Sequence, residues 1–389
     1  MTQHPGTDGG RERRDAPDDH EAEQRRAVQR EYEGYSAEVQ QHYAKKGLSR
    51  RDAIRRGGLG AVALGVLAPA LAGCGLKTSP EEASGAVSGS VYGKALKGLG
   101  TNGGLGVMWY AQGKQTIEQW AKLLNVDLTW VDGELDPTKQ RAKLDNAAIK
   151  TWDIAMVTAT QAGTVLEPLR KIVGKGTDVV QMTSNTGKPG EEWGYLTFTE
   201  QSSYDMGYQV TKELCTKAGG KGTIIETRGP APGTDQQDRH KGFMAALKEF
   251  PDIRLLTTDF ANWDSGTAQK QWDSYLTKYP DITIGYCQND DMALAALQAL
   301  KSARRTGKTL IGGTDGMPPA IKLVKSGQLA ATFRHDSCRV HGYAIVIAAM
   351  HKRGLIPDPP KKVVVDGPLV TKDNADSLLT LQQAPVLLA

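Results

Sequence analysis

The chain has 389 residues, with 48 Lys and Arg against 44 Asp and Glu, a net charge of +4. A balance so close to neutral gives no electrostatic footprint for nucleic acid, and four cysteines in this length exclude a disulfide-stapled scaffold. Charged residues make up 24% and aromatic ones 6%, so an ordinary globular body is expected. Residues 1–48 are polar, charged and nearly free of large aliphatic side chains, too poor in apolar surface to fold alone. They read as a long leading segment, and no function is drawn from them.

An uncharged run rich in Ala, Leu, Val and Gly follows from Gly57 to Gly73, too short for a comfortable membrane span and flanked like a signal peptide. It closes on Leu71-Ala72-Gly73-Cys74, which resembles a lipobox, and this implies that Cys74 is lipidated and becomes the first mature residue. Arg50 and Arg51, within Ser-Arg-Arg-Asp-Ala-Ile, resemble the twin-arginine export signal. Ala53 stands where that pattern usually has a bulky apolar residue, which leaves the general secretory route open.

Beyond the signal, 36 basic and 33 acidic residues remain, and 316 residues from Cys74 onward suffice for two lobes with separate cores. Cys215, Cys287 and Cys338 show neither zinc-ligand nor C-x-x-C spacing and read as small buried thiols. The Gly, Ser, Ala and Lys composition of residues 74–104 predicts a flexible tether reaching roughly 30 Å. Within it, Gly98-Leu99-Gly100-Thr101-Asn102-Gly103 resembles half of a dinucleotide fingerprint but opens no predicted helix, so it is read as linker and no cofactor is implied.

Short apolar runs then alternate with amphipathic ones. Strands are predicted at 105–110, 126–131, 154–157, 179–182, 195–199, 222–226, 253–259, 282–286, 309–312 and 328–333. Helices are predicted at 138–149, 165–172, 206–216, 242–250, 267–279, 291–300, 321–325 and 339–350. This alternation implies an α/β fold with parallel sheets covered on both faces, whose ligands bind beyond the carboxyl ends of the strands.

Those strand ends carry a resemblance. Tyr286-Cys287-Gln288-Asn289-Asp290-Asp291-Met292-Ala293, Gly312-Gly313-Thr314-Asp315-Gly316 and Leu329-Ala330-Ala331-Thr332 are similar to the signatures of type I periplasmic sugar-binding proteins of the ribose-binding kind. Gly233-Thr234 with Arg239 and Gly242-Phe243, and Asn262-Trp263-Asp264, resemble further segments of that family in the same order, from Leu105 to about Leu369. The resemblance implies two similar lobes, each a parallel sheet flanked by helices, joined by a three-segment hinge. It places the first lobe at 105–201 with 337–365 and the second at 202–335 with 366–389, with crossings near Gln201, near His335 and Asp336, and near Asp366 to Leu369.

Residue by residue, the resemblance puts Arg239, Trp263, Asn289 and Asp315 in the ligand pocket. The chemistry agrees, because a guanidinium fork, a carboxylate and an amide together satisfy hydroxyls that both donate and accept, and an indole covers the apolar face of a sugar ring. Capping of the helix after Asn289 is assigned to Asp290. Where the ribose pattern has an Asp-Arg pair, this chain has Thr183, Ser184 and Asn185, and where it has a Gln the chain has His335, beside Arg334. Thr183, Ser184 and His335 are therefore added as candidate contacts, with Tyr110 as an aromatic wall, while Trp109 reads equally as wall or core.

The expected function is an extracytoplasmic solute-binding lipoprotein, a monomer held to the membrane by Cys74, that delivers a neutral sugar or linear polyol other than ribose to the permease and ATPase of an ABC importer. A sensory lipoprotein of the same fold, presenting its ligand to a receptor or histidine kinase, is the alternative. No catalytic constellation and no His/Asp/Glu cluster with metal-ligand spacing is found. A sugar-responsive repressor would need a DNA-binding headpiece and a cytoplasmic address.

Overall fold

The structure, a computed structural model, describes residues 93–188 and 190–382; Arg50, Arg51 and Cys74 lie outside the described residues. The first lobe is built from β1 (Leu96–Asn102), α1 (Met108–Leu123), β2 (Val126–Asp132), α2 (Pro137–Ala147), β3 (Ile154–Val157), α3 (Leu166–Gly174), β4 (Asp178–Met182) and β5 (Thr197–Glu200), and is completed by α9 (Ser337–Lys352) and β11 (Lys362–Val364). Its six strands run parallel in the order β11-β5-β4-β3-β1-β2. Alternate residues of the strands face opposite sides: Leu99, Ala155, Val157 and Val179 pack with Leu144 of α2 and Leu169 and Ile172 of α3. The other face is covered by α9, which also packs on α1. Because it is covered from both sides, α9 is buried almost all round, from Ser337 to Met350.

The second lobe comprises α4 (Ser203–Lys217), β6 (Lys221–Arg228), α5 (Thr234–Leu247), β7 (Asp252–Phe260), α6 (Ser265–Lys278), β8 (Ile284–Cys287), α7 (Asp290–Ser302), β9 (Leu310–Gly312), α8 (Pro318–Lys325) and β10 (Thr332–Phe333), with β12 (Leu369–Val370) and α10 (Ala375–Gln382). Here the parallel order is β7-β6-β8-β9, with β10 and β12 forming a short antiparallel pair. Met206, Val210 and Leu214 of α4, Phe243 of α5, and Ile224, Ile284 and Tyr286 of the sheet make its core. Cys215, Cys287 and Cys338 are free and buried, and burial pushes each thiol up to about 12.

Two expectations at the start of the body are corrected. The first strand is Leu96–Asn102, inside the predicted tether, and it lies between β2 and β3. Its glycines are there because β2 side chains lie over it: a Cβ at Gly98 would sit 2.6 Å from Val126 Cγ1, and one at Gly100 would overlap the Trp130 indole. The predicted strand at 105–110 is instead a turn and the start of α1, whose buried residues Trp109, Tyr110, Gly113, Thr116, Ile117 and Ala121 follow helical spacing. A short apolar run does not by itself distinguish the two.

Three chain segments pass between the lobes and are tied to one another. Gln201 Nε2 donates to the Arg334 carbonyl at 2.7 Å, the Asp336 amide donates to Gln201 Oε1 at 2.8 Å, and the Arg334 amide donates to the Pro368 carbonyl at 3.0 Å. Gly367 sits where any Cβ would strike the Arg334 carbonyl and the Gln201 amide. Asp336 accepts from Arg334 Nη2 at 2.6 Å and Arg339 Nε at 2.8 Å while capping α9. Burial raises its carboxyl, but the two guanidiniums prevail and hold it below the usual carboxylate range.

Candidate functional site

Loops that follow the strands converge on one cavity between the lobes. It is lined by Val107, Trp109 and Tyr110 around the start of α1, Thr183 after β4, Asp235 and Arg239 on α5, Trp263 after β7, Asn289 after β8, Asp315 after β9 and His335 after β10. Three lining residues have left-handed backbones, Thr183 at φ 55, Trp263 at φ 64 and Asp315 at φ 120. Such conformations cost about 1–3 kcal/mol each outside glycine and persist only where the surroundings enforce them. Gly229 makes room for the Trp263 ring, which a Cβ there would strike.

Arg239 is 3% exposed and organises the cavity. Its Nη1 donates to the Gln288 carbonyl, its Nη2 lies 3.1 Å from His335 Nδ1 and 3.7 Å from Asp315 Oδ1, and its Cζ stands 5.1 Å from the Trp263 ring centroid. Because Arg239 donates to Nδ1, the His335 proton sits on Nε2, which donates to Thr183 Oγ1 at 3.1 Å. Burial, Arg239 and His341 all push His335 well below its ordinary value, so the ring stays neutral. Trp109 stacks on it with centroids 4.2 Å apart and donates from Nε1 to its carbonyl at 2.8 Å. Thr183 Oγ1, having accepted from His335, keeps its own hydrogen to donate. Arg239 Nε has no hydrogen-bond partner.

The carboxyls are held up. Burial raises Asp315 well above the ordinary range, helped by Asp290, Asp291 and Asp235, with Arg239 opposing. Asp290, beneath the cavity, accepts from the Met317 amide at 2.7 Å and Thr332 Oγ1 at 2.6 Å, and burial moves it to about 8. Burial, followed by the Asp235 charge, also raises the Tyr110 phenol.

Of the eight residues expected at the ligand, the structure brings seven together in this cavity and leaves Ser184 out of its lining. Ser184 Oγ instead meets Thr234 Oγ1 across the cleft at 3.3 Å, following a tight turn in which its amide bonds to the Met182 carbonyl. The capping assignment is corrected too. Asn289 caps α7, accepting from the Met292 amide at 2.9 Å, whereas the Asp290 carboxylate turns toward Met317 and Thr332. Asn289 still faces the cavity, and its Nδ2 makes only a long 3.4 Å bond to the Trp263 carbonyl. Asp235 and Val107 are lining residues that sequence reasoning missed. Asp235 was discoverable, since it precedes Arg239 by one helical turn on the same face.

Among the described residues no helix is long and apolar enough to cross a membrane, and no group of three His, Cys, Asp or Glu is placed to hold a metal ion. Two lobes joined by three chain segments, with a small polar cavity between them, define a solute-binding protein. The chain belongs to the family described as periplasmic binding protein domain, which matches residues 101–355. It is similar to a xylitol-binding protein of Mycolicibacterium smegmatis, with 29% identity over 68% of this chain and 74% of that one. It is likewise similar to an ABC transporter solute-binding protein of Mycobacterium smegmatis solved with glycerol bound, at 28% identity and a TM-score of 0.68, covering 73% of this chain and 97% of that one. The fructose-binding periplasmic domain of a hybrid two-component system matches at 26% identity and a TM-score of 0.65, over 74% of this chain and 93% of that one. The protein is therefore a binding protein of the type I sugar-binding class rather than an enzyme, and its place is outside the cytoplasm.

Proposed function

We propose that the protein captures a neutral sugar or linear polyol other than ribose in this cavity, as a lipoprotein anchored through Cys74, and presents the closed form to the permease and ATPase subunits of an ABC importer. The observation that carries this reading is the lining itself. Arg239, Asn289 and Thr183 offer donors, Asp315 and Asp235 offer acceptors, and Trp109 and Trp263 offer aromatic faces, all in one lining. A xylitol-binding relative and a homologous structure holding glycerol are in keeping with it. The likeness to a two-component sensor domain supports the second reading, a sensory lipoprotein.

A thermal-shift screen of the mature chain against neutral polyols, aldoses, amino acids and peptides tests the ligand class. At 100 times its dissociation constant a ligand adds about 2.7 kcal/mol to the folded state. The largest shift is expected from a neutral sugar or polyol; ribose, an amino acid or a peptide in first place refutes the assignment. Anchoring is tested separately. Cys74→Ala is expected to move the exported body from the membrane fraction to the soluble one, and continued membrane association counts against the lipid anchor.

A further inference from the structure

Asp235 occupies the first turn of α5, is 8% exposed, and lines the cavity one turn ahead of Arg239. The ion pair inside the cavity runs from Arg239 to Asp315, and none among the described residues reaches Asp235. With His335 neutral, the lining carries two carboxyls against one guanidinium. That guanidinium is committed at Nη1 to the Gln288 carbonyl and at Nη2 to His335 Nδ1, which leaves its Nε without a partner. An incoming carboxylate or phosphate would therefore lie beside two acids, with this one partly committed guanidinium as the sole cation of the lining, at a desolvated site where like charges repel strongly. A hydroxyl, by contrast, donates to Asp235, a carboxylate that no side chain among the described residues contacts by a hydrogen bond or ion pair.

We propose that Asp235 is a specificity-determining residue, an acceptor for ligand hydroxyls that makes the cavity select uncharged polyols and reject sugar acids and sugar phosphates. This rests on reading the cavity as a polyol site. Burial raises the Asp235 carboxyl, and the Arg239 charge and the backbone amides of Gln236 and Asp235 only oppose that rise.

The experiment is calorimetric titration of the mature chain with xylitol and D-allose and with their acids, xylonate and allonate, repeated for Asp235→Asn and Asp235→Glu. The wild type is expected to bind at least one neutral compound and neither acid. Asp235→Asn, close to isosteric and free of the buried charge, should fold with an undiminished melting temperature, lose at least tenfold in affinity for the neutral ligand, and gain measurable binding of the matching acid. Asp235→Glu should keep the discrimination against the acid even where it weakens the neutral ligand. Wild-type affinity for an acid equal to that for its neutral parent overturns the proposal, as does an Asn variant that keeps both affinity and discrimination. A wild-type chain that binds none of the four compounds, and whose thermal-shift screen is led by an amino acid or peptide, overturns the polyol reading along with it, whereas an unchanged Asn variant overturns the role of Asp235 alone.

Discussion

Arg239 holds its place through directional contacts that a lysine does not reproduce: one nitrogen on a carbonyl, another on the His335 ring, and the planar group near the Trp263 indole. Arg239→Lys is therefore expected to fold but to weaken ligand binding by at least tenfold, read by calorimetry, and an unchanged dissociation constant would contradict the role given to the fork. The buried acids make a second prediction. In an unfolded chain the Asp290 carboxyl ionises near 3.8, whereas in the fold it keeps its proton to about 8. Across that window the folded state binds more protons than the unfolded one, so stability falls as pH rises. Asp291, raised to about 6 by burial, acts in the same direction. Asp336 is shifted the other way, so its contribution is lost only in acid, below the ordinary carboxylate range. The ligand-free protein should accordingly melt at lower temperature at pH 8.5 than at pH 5.5, and Asp290→Asn should flatten that slope. A wild-type profile that is level or rises would refute the assignment.

At the scale of elements, the cavity depends on how closely α4 and α5 approach. Gly207 lies against the backbone carbonyl of Arg239, and Gly242 against that of Tyr204, so a methyl group at either position meets main chain, which has no rotamer with which to yield. Gly207→Ala is expected to destabilise the protein by about 1–3 kcal/mol in denaturant titration. It should also weaken ligand binding, because the strain falls on the turn of α5 that carries Arg239. Loss of stability with ligand affinity intact would show that α5 moves as a body without disturbing the cavity.

At the scale of the whole molecule, the closed form is held by contacts that span the cleft outside the ligand cavity. Thr234 Oγ1 accepts from the Asn185 amide at 3.0 Å and meets Ser184 Oγ at 3.3 Å, and the Met108 amide donates to Asp291 Oδ2 at 3.3 Å, where α1 has no side-chain cap of its own. A ligand that touches both lobes shifts the population toward this form, and these bonds set how far. Thr234→Val keeps the shape and removes the hydroxyl. At a net value of about 1 kcal/mol for such hydrogen bonds, affinity should fall roughly fivefold with the rank order of ligands unchanged. Small-angle scattering at equal ligand excess should show a larger fraction of open molecules, and a variant as closed as the wild type would remove Thr234 from the latch.

Features written locally are legible in the order of residues alone. The alternation of strand and helix follows from apolar periodicity, and Arg239, Trp263, Asn289 and Asp315 follow strands of the second lobe or stand on its helix, where a parallel sheet presents its ligand. Features that depend on distant partners become legible once the chain is folded. The glycines of Leu96–Asn102 look like tether until Val126 and Trp130 are seen lying over them. Asn289 and Asp290 are equivalent as helix caps in one dimension, and it is Thr332, 42 residues on, that draws Asp290 away. The charge and orientation of His335 are likewise fixed by Thr183 and Arg239, 152 and 96 residues distant, because a ring tautomer is chosen by the groups that face it and not by its neighbours in the chain.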